Sequence, residues 1–167
     1  MHVAFFRNVN LGQPRSPSRV QLVEAFTAEG AREVLSHQSN GTVAFSCDGD
    51  PQALADAVAA SLGPPCGYAD VALVRPLDWL RDLGLHDLPD GCELTVFDGP
   101  DVFPELIPWS PDPRVTVLRA DERHAVVHNH EERRSYGTRV VEQRLGVPAT
   151  SRGAGTVLRL LARLDGT

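Results

Sequence analysis

The sequence predicts an α+β fold, in which strands and helices alternate along one chain. Hydrophobic periodicity divides residues 2–74 into a strand, a helix, two strands, a helix and a strand. Helix start signals and glycine- or proline-rich breaks separate these elements. A second, less regular run of strands and helices fills the rest of the 167 residues. The chain is therefore predicted to contain two α+β units in succession.

The first strand runs from His2 to Val9, because apolar residues occupy both of its alternating faces. Val3 and Phe5 fall on one face, and Phe6 falls on the other. A strand with two apolar faces is typical of the middle of a sheet. This strand leads directly into polar side chains from Arg7 onwards, so its end is the most unusual position in the sequence.

The next elements are a helix and a hairpin. Ser18 is a suitable N-cap for the helix, and Gly30 is a suitable C′ residue at its end. Ala31 to His37 and Thr42 to Cys47 then form two strands. The turn between them, Ser39-Asn40-Gly41, contains the Asn-Gly pair that is favoured where φ must be positive.

The second helix has Asp50 as its N-cap and Pro51 at its first position, and Gly63-Pro64-Pro65 ends it. Tyr68 to Val74 is the fourth strand. This order of elements is that of the split β-α-β plait called ferredoxin-like. In that topology the first and third strands are the two central ones, so we expect them to be neighbours.

The second half follows a similar plan. Its predicted elements are a short helix at Asp78 to Leu83, a strand at Glu93 to Phe97, a short helix at Asp101 to Ile107, an irregular loop at Pro108 to Pro113, a hairpin of Arg114 to Arg119 and His124 to His128, and helices at Tyr136 to Leu145 and Gly155 to Leu164. We place the boundary near Arg75-Pro76, which gives units of residues 1–75 and 76–167. Since no flexible linker separates them, the two units are expected to pack as one body.

Composition and charge narrow the possible functions. The apolar fraction of 42% and the charged fraction of 23% are typical of globular proteins and argue against disorder. Residues 1–113 carry six arginines and sixteen acidic residues, whereas residues 114–167 carry ten arginines and six acidic residues. An acidic protein is a poor candidate for non-specific nucleic-acid binding. Its basic C-terminal third is still suited to one anionic ligand.

The cysteines and the apolar runs predict the compartment. Cys47, Cys66 and Cys92 form no Cys-x-x-Cys pair, so we expect reduced thiols and no zinc ribbon. The apolar run at the N-terminus stops at Arg7, which is too short for a signal peptide. No stretch of about 20 apolar residues is present to span a bilayer. These features predict a cytoplasmic protein without a membrane partner.

A polar cluster is the first candidate for a ligand site. It combines the end of the first strand, the hairpin turn and the approach to the last helix: Arg7, Asn8, Asn10, Ser39, Asn40, Arg152 and Thr156. Gly12 and Gly41 let the backbone approach a ligand closely, and Thr150 or Ser151 can cap a helix whose amide groups attract an anion. We expect a small anionic or nucleotide-like ligand at the junction of the two units. In the alternative, the cluster binds no ligand and its groups satisfy one another, holding the units together.

Metal binding and RNA binding are two further possibilities. His124, His128 and His130 fall on one side of a strand, and imidazole groups suit a transition metal. A polar strand end entering an exposed turn explains the same residues, so no metal is assigned. Phe5 or Phe6 and Phe45 lie on the predicted central strands, where RNA-recognition plaits carry stacking aromatic residues. Core packing explains these phenylalanines equally well.

Nucleophilic catalysis has little support in the sequence. Neither Cys47 nor Cys66 has a histidine neighbour that would lower the pKa of its thiol. A hydrolase or transferase of unidentified chemistry is therefore kept only as an alternative to ligand binding, and no cofactor is assigned. The oligomeric state is equally open.

Three segments resemble motifs of one bacterial family. Residues 6–12, Phe-Arg-Asn-Val-Asn-Leu-Gly, resemble its L-R-G-I-N-V-G opening, and residues 37–45, His-Gln-Ser-Asn-Gly-Thr-Val-Ala-Phe, resemble its Y-I-Q-S-G-N-V-V-F hairpin. Residues 150–157, Thr-Ser-Arg-Gly-Ala-Gly-Thr-Val, resemble its closing T-x-R-N-W-x-T-V. These motifs are hallmarks of the bacterial domain-of-unknown-function 1697 family, and the resemblance covers essentially the whole chain. It implies a duplicated ferredoxin-like architecture, and it implies no particular reaction.

The chain departs from the family pattern at three places. These are Asn8 in place of a glycine, Asn40-Gly41 in place of the reverse order, and Gly153-Ala154 in place of an asparagine and a tryptophan. The chain therefore resembles the family as a divergent member would.

Overall fold

The computed structural model describes residues 1–99, 103 and 105–166 of the chain. It contains helices and two antiparallel sheets, one of four strands and one of five, so the α+β prediction is confirmed. The chain divides into two compact units, Met1–Leu80 and Arg81–Thr167, which are called unit 1 and unit 2 below.

Unit 1 alternates strands and helices. Its elements are β1 (His2–Phe6), α1 (Arg19–Ala28), β2 (Arg32–His37), β3 (Thr42–Ser46), α2 (Pro51–Ser61), the short α3 (Gly63–Cys66), β4 (Ala72–Pro76) and the start of α4 (Leu77–Asp82). The sheet has the order β2-β3-β1-β4. β1 and β3 are thus the two central strands and pair with each other, as the sequence predicts.

Capping residues explain where the helices of unit 1 begin. Ser18 accepts a hydrogen bond from the backbone N–H of Gln21, and the Gln21 side chain accepts one from the Ser18 N–H, which completes a capping box. Asp50 caps α2 in the predicted way, with Pro51 at its first turn. Gly30 follows α1 with φ of +87°, which is the left-handed conformation expected of a C′ glycine.

Aromatic residues fill the core of unit 1. Phe26 on α1 packs against Phe45 on β3 with ring centroids 4.9 Å apart, and against Phe6 on β1 at 5.8 Å. Phe5, Phe6 and Phe45 are completely buried. Because their rings are covered by the core, these phenylalanines are not available to stack on the bases of an RNA, and core packing is the correct explanation of their positions.

Two predictions about unit 1 are wrong in detail, and a third is incomplete: α2 does end just before Gly63, at Ser61. β1 ends at Phe6 and not at Val9, because Asn8 has φ of +54° and the chain turns there. β4 begins at Ala72, four residues later than the predicted strand, because the side chains of Tyr68 and Asp70 make turn contacts that precede the sheet. The Gly63-Pro64-Pro65 segment does not simply end α2, since it forms α3, in which proline occupies the tolerant first turn.

Unit 2 begins with the end of α4 and a short 3-10 helix at Leu85–Asp87. Its further elements are β5 (Cys92–Phe97), β6 (Trp109–Asp112), β7 (Val115–Ala120), β8 (His124–Asn129), α5 (Gly137–Leu145), β9 (Ala149–Gly153) and α6 (Ala154–Asp165). The sheet has the order β6-β7-β8-β5-β9. Without the edge strand β6, the order is β7-β8-β5-β9. Numbered along the chain within the unit, these are the second, third, first and fourth strands, which is the same order as in unit 1.

Two strands of unit 2 are absent from the sequence prediction. β6 lies within the predicted irregular loop, where Trp109 pairs with Val117 of β7. β9 contains Thr150 and Ser151, so neither residue caps a helix. Instead, Gly153 is the N-cap of α6, and no side chain caps that helix. Three residues of the predicted short helix from Asp101 to Ile107 (101, 102 and 104) lie outside the described residues, and the other four, 103 and 105–107, are not helical.

The lengths of the helices bear on whether the chain could cross a membrane. Among the described residues the longest helix is α6, with 12 residues. Over the described ranges, no helix is both long enough and apolar enough to cross a membrane.

Candidate functional site

The end of β1 carries two of the predicted site residues, and both contact one carboxylate. The Nη1 atom of Arg7 lies 2.7 Å from Oδ2 of Asp70, and the amide nitrogen of Asn8 lies 2.7 Å from the same oxygen. The other oxygen of Asp70 accepts the backbone N–H of Val71 at 2.8 Å. Asp70 is therefore the centre of this polar cluster, although it is not among the site residues that the sequence predicts.

Backbone contacts hold the same turn in place. The Tyr68 hydroxyl lies 3.0 Å from the carbonyl oxygen of Arg7, and the Arg7 N–H donates to the carbonyl of Val71 at 2.9 Å. Gly41 has φ of +69°, and a Cβ atom there would lie 2.8 Å from Cβ of Val9 and 2.9 Å from Cβ of Phe6. Core side chains therefore occupy the space beside Gly41 that a ligand was expected to approach.

The other predicted residues of unit 1 have separate partners. The backbone N–H of Asn10 donates to the hydroxyl of Ser16 at 3.1 Å, and the side-chain oxygen of Asn40 accepts from the Thr42 hydroxyl at 2.8 Å. The carbonyl of Ser39 accepts the Leu11 N–H at 2.7 Å. These hydrogen bonds shape the loops around the hairpin, and they do not join Asn10, Ser39 and Asn40 to the Asp70 carboxylate.

A shallow cavity of about 390 Å³ adjoins this cluster in unit 1. Asn8, Tyr68 and Asp70 contribute to its wall, together with Arg15 from the preceding loop. The Asp70 carboxylate on this wall accepts from both Arg7 and Asn8, so an anion would have to compete with it for these two residues. The geometry of unit 1 therefore favours a packing role for Arg7 and Asn8.

This packing role predicts the effect of removing the Asp70 charge. Asp70→Asn is expected to lower the free energy of unfolding by about 1 kcal/mol, because the partly buried pair with Arg7 loses its charge-assisted hydrogen bond. Urea denaturation measures this change. Asp48→Asn is the matched control, since its pair with Arg32 is largely exposed and should leave stability unchanged. If both variants were as stable as the wild type, the proposal that Asp70 stabilises the turn after β1 would be refuted.

The remaining predicted residues, Arg152 and Thr156, belong to unit 2. Arg152 is buried in β9, and its Nη1 atom donates to the hydroxyl of Thr150 and to the carbonyl of Ser151, both at 2.8 Å. Thr156 lies in the first turn of α6, where its hydroxyl accepts from Arg159 at 3.1 Å. Thr156 lines a cavity of about 290 Å³, and Arg152 is not part of its wall.

This space, called the α6 cavity below, is built from four parts of unit 2. It lies among the start of β5, the end of β8, the loop before α5 and the first turn of α6, and its wall consists of Gly91, Cys92, Glu93, Asn129, Arg133, Arg134, Gly153, Ala154, Gly155, Thr156 and Arg159. The first amide groups of a helix have no partners within it, and α6 has no side-chain cap. The N-terminus of α6 therefore contributes positive potential to the cavity.

Three arginines add full charges to this wall. Arg133 and Arg134 come from the loop before α5, and Arg159 comes from α6, one turn after Thr156. Within the part of the chain that the structure describes, none of these guanidinium groups forms an ion pair. Arginine presents a rigid fork of donors that matches carboxylate and phosphate oxygens. The α6 cavity thus combines three exposed arginines and a helix N-terminus with one carboxylate, that of Glu93.

A buried carboxylate fixes the loop that carries two of these arginines. Glu93 is 4% exposed. It accepts hydrogen bonds from the Ser135 hydroxyl at 2.6 Å, from the Tyr136 N–H at 3.1 Å and from the Gly137 N–H at 2.5 Å. Asn129 adds a further contact by accepting the Tyr136 N–H at 3.0 Å. The backbone that follows Arg134 is therefore held firmly against β5 and β8.

The thiol groups are poorly suited to nucleophilic chemistry. Burial raises the pKa of Cys92, which lies in the wall of the α6 cavity, so this thiol stays protonated at neutral pH. Cys66 donates to the carbonyl of Leu62 at 2.9 Å, and Cys47 lies 3.5 Å from the carbonyl of Gly49. Hydrogen-bonded or buried thiols of this kind are ordinary structural residues.

The three histidines do not form one cluster, since the rings of His128 and His130 lie 5.0 Å apart while His124 has a separate partner. His130 makes hydrogen bonds through both ring nitrogens, with the carbonyl of Pro113 at 2.9 Å and with the Thr116 hydroxyl at 3.1 Å. His124 is buried and contacts the Asp121 carboxylate at 2.8 Å. In the described segments, no group of three or more histidine, cysteine, aspartate or glutamate side chains could hold a metal ion.

Sequence reasoning selected Thr156 and missed the charged residues around it. Arg133 and Arg134 follow two glutamates, and such a run of charges is typical of a solvated loop. Glu93 offered a better signal, because a single carboxylate stands among apolar residues in a buried strand. The partners of that carboxylate lie more than 40 residues away in the sequence.

Comparison with known proteins identifies the family. Residues 1–91 match the family described as "Protein of unknown function (DUF1697)". The fold is similar to that of the conserved bacterial protein SP0830 from Streptococcus pneumoniae, with a TM-score of 0.65 and 17% identity over 98% of this chain and 97% of that chain. No curated protein matches the chain. Because the family match covers more than half of its 167 residues, the protein belongs to the DUF1697 family.

Proposed function

We propose that the protein binds a small anionic ligand, and that the α6 cavity of unit 2 is the site. The observation that carries this proposal is the presence of Arg133, Arg134 and Arg159 in one cavity wall, without ion-pair partners in the described residues. Clusters of cations are costly to keep together unless an anion or solvent compensates them. A phosphate or carboxylate group supplies that compensation through charge-assisted hydrogen bonds.

The helix terminus supports the same class of ligand. The N-terminus of α6, which no side chain caps, brings its positive end beside the arginine side chains. Thr156 also lines the cavity, and its hydroxyl accepts a hydrogen bond from Arg159, which holds that guanidinium at the wall. The cavity volume of about 290 Å³ is suited to a phosphate group with a small organic body.

The chemistry of the wall favours binding over catalysis. The Cys92 thiol is kept protonated by the raised pKa that burial causes, so it is a poor nucleophile. The Glu93 carboxylate already accepts three hydrogen bonds from the protein, which leaves it poorly placed to act as a general base. A hydrolase or transferase therefore gains less support from this site than a binding protein.

A non-enzymatic structural function is the second candidate, and it applies to unit 1. The observation that favours it is the pairing of Arg7 and Asn8 with Asp70. In this view the polar residues of the opening segment stabilise the turn after β1 and bind nothing. The two candidates concern different units, so they can be tested separately.

We further propose that the chain is a duplication of one ferredoxin-like plait, in residues 1–75 and 76–167. The strand orders β2-β3-β1-β4 and β7-β8-β5-β9 support this proposal, because they are the same order in two successive units. In both sheets the neighbouring strands are antiparallel. The edge strand β6 would then be an addition specific to the second copy.

Calorimetric titration with inorganic phosphate at constant ionic strength tests the anion site. The wild type is expected to bind phosphate saturably, and the double substitution of Arg133→Gln and Arg159→Gln should weaken binding by at least about tenfold, since two charge-assisted contacts are lost. Arg15→Gln is the matched control, because it removes an exposed arginine of unit 1. Absence of binding heat, or equal affinity of the double variant and the wild type, would refute the proposal.

A further inference from the structure

A second cavity of unit 2 lies between β6 and α5 and differs in character from the α6 cavity. Its volume is about 190 Å³, and Trp109 and Tyr136 contribute aromatic surface to its wall. Arg139 and Gln143, one helical turn apart on α5, supply polar groups. We call this space the Trp109 cavity.

Contacts outside the cavity hold its two aromatic residues. The ring of Trp109 packs against Phe103 with centroids 5.7 Å apart. The Tyr136 ring is covered by the guanidinium of Arg114 at 5.0 Å, and its hydroxyl donates to Glu131 at 2.6 Å. Because these rings are already fixed, a bound ring would not have to order them, which lowers the entropic cost of binding.

The charges around the cavity leave one arginine without an acidic partner. Nη2 of Arg114 lies 2.9 Å from Oδ2 of Asp112 and lowers the pKa of that carboxyl, so Asp112 is ionised and paired. Arg144 is paired with Glu105. Arg139 forms no ion pair in the described ranges, and it adds to the field that lowers the pKa of Asp112.

We propose that the Trp109 cavity binds a small aromatic carboxylate. The aromatic walls favour a planar ring, through stacked or edge-to-face contacts. The Arg139 guanidinium matches a carboxylate, and its single excess charge suits a monoanion. Engineered apolar cavities of about 150 Å³ hold one benzene ring. A volume of about 190 Å³ therefore leaves room for one ring and its carboxylate. This proposal stands independently of the anion site in the α6 cavity.

Tryptophan fluorescence offers a direct test, because the chain has only two tryptophans. In the Trp79→Phe protein, Trp109 is the single reporter, and titration with benzoate is expected to change its emission saturably. Arg139→Gln in this background should weaken benzoate binding by at least about tenfold, since the charge-assisted contact is lost. The affinity for benzamide, which has the same ring and no charge, should change far less. Arg15→Gln is the control and should bind benzoate as before.

Calorimetric titration of the wild type with benzoate provides a second measurement if Trp79→Phe does not fold. Saturable binding that Arg139→Gln weakens supports the proposal. Absence of binding, or equal benzoate affinity with and without Arg139, overturns it. Phosphate titrations of the same Arg139→Gln protein separate the two sites, because phosphate binding at the α6 cavity is expected to be unaffected.

Discussion

Gly137→Ala is expected to destabilise the protein by about 3 kcal/mol or more. A Cβ atom at this position would lie 2.1 Å from the Thr95 hydroxyl and 2.7 Å from Oε1 of Glu93, both of which are buried. These neighbours cannot simply move, because Thr95 is hydrogen-bonded to Ser151 at 2.8 Å and Glu93 accepts the Gly137 N–H itself. The methyl group would therefore separate the start of α5 from β5.

Urea denaturation followed by circular dichroism measures the effect of Gly137→Ala. Gly49→Ala is the matched control, since a Cβ atom there meets nothing within 4 Å. The control should change the free energy of unfolding by less than about 0.5 kcal/mol. If the two variants proved equally stable, close packing at the start of α5 would not contribute to stability.

Glu93→Gln is expected to lower the free energy of unfolding by about 2–4 kcal/mol. A carboxylate can accept hydrogen bonds but cannot donate them. That of Glu93 meets three donors, namely the Ser135 hydroxyl and the N–H groups of Tyr136 and Gly137. A glutamine can keep its oxygen towards the two N–H groups, but all three hydrogen bonds lose their charge assistance and the Ser135 hydroxyl must reverse to accept from the NH2 group. The expected loss of stability is larger than that for neutralising a surface carboxylate, because Glu93 is almost fully buried.

Thermal and chemical denaturation of Glu93→Gln are compared with those of Glu122→Gln, which changes an exposed glutamate on the β7–β8 hairpin. The control should leave stability unchanged. Phosphate titration of the folded Glu93→Gln protein adds a functional readout, since a loosened Ser135 to Gly137 segment should also weaken binding by the neighbouring arginines. Unchanged stability would mean that the buried hydrogen bonds of Glu93 are replaceable.

Local chemistry explains which elements could be predicted from the sequence. The starts of α1 and α2 depend on Ser18 and Asp50, whose caps act over three residues or fewer, and both were predicted correctly. β9 was missed because its sequence, Ala-Thr-Ser-Arg-Gly, lacks apolar alternation, and its strand conformation depends on pairing with β5. The end of β1 was misplaced because Asn8 adopts a left-handed φ that few side chains accept.

The candidate site was predicted less well than the fold, for a related reason. Arg7 and Asn8 are predicted as members of a ligand site, but the carboxylate that they contact, Asp70, lies more than 60 residues away and falls within a predicted strand. The arginines of the α6 cavity lie in a charged loop and on a helix surface, where solvent is the usual partner of such residues. Only the tertiary structure brings them to one wall.

The hydrogen bonds of Glu93 have a further consequence for recognition. They clamp the chain immediately after Arg133 and Arg134, so the conformational freedom of this loop is lost when the protein folds and not when a ligand arrives. Binding at such a preorganised site should show a fast, single-step association, with little change of structure between the free and occupied protein. A carboxylate that takes its hydrogen bonds from the protein itself would thus set the kinetics of ligand capture.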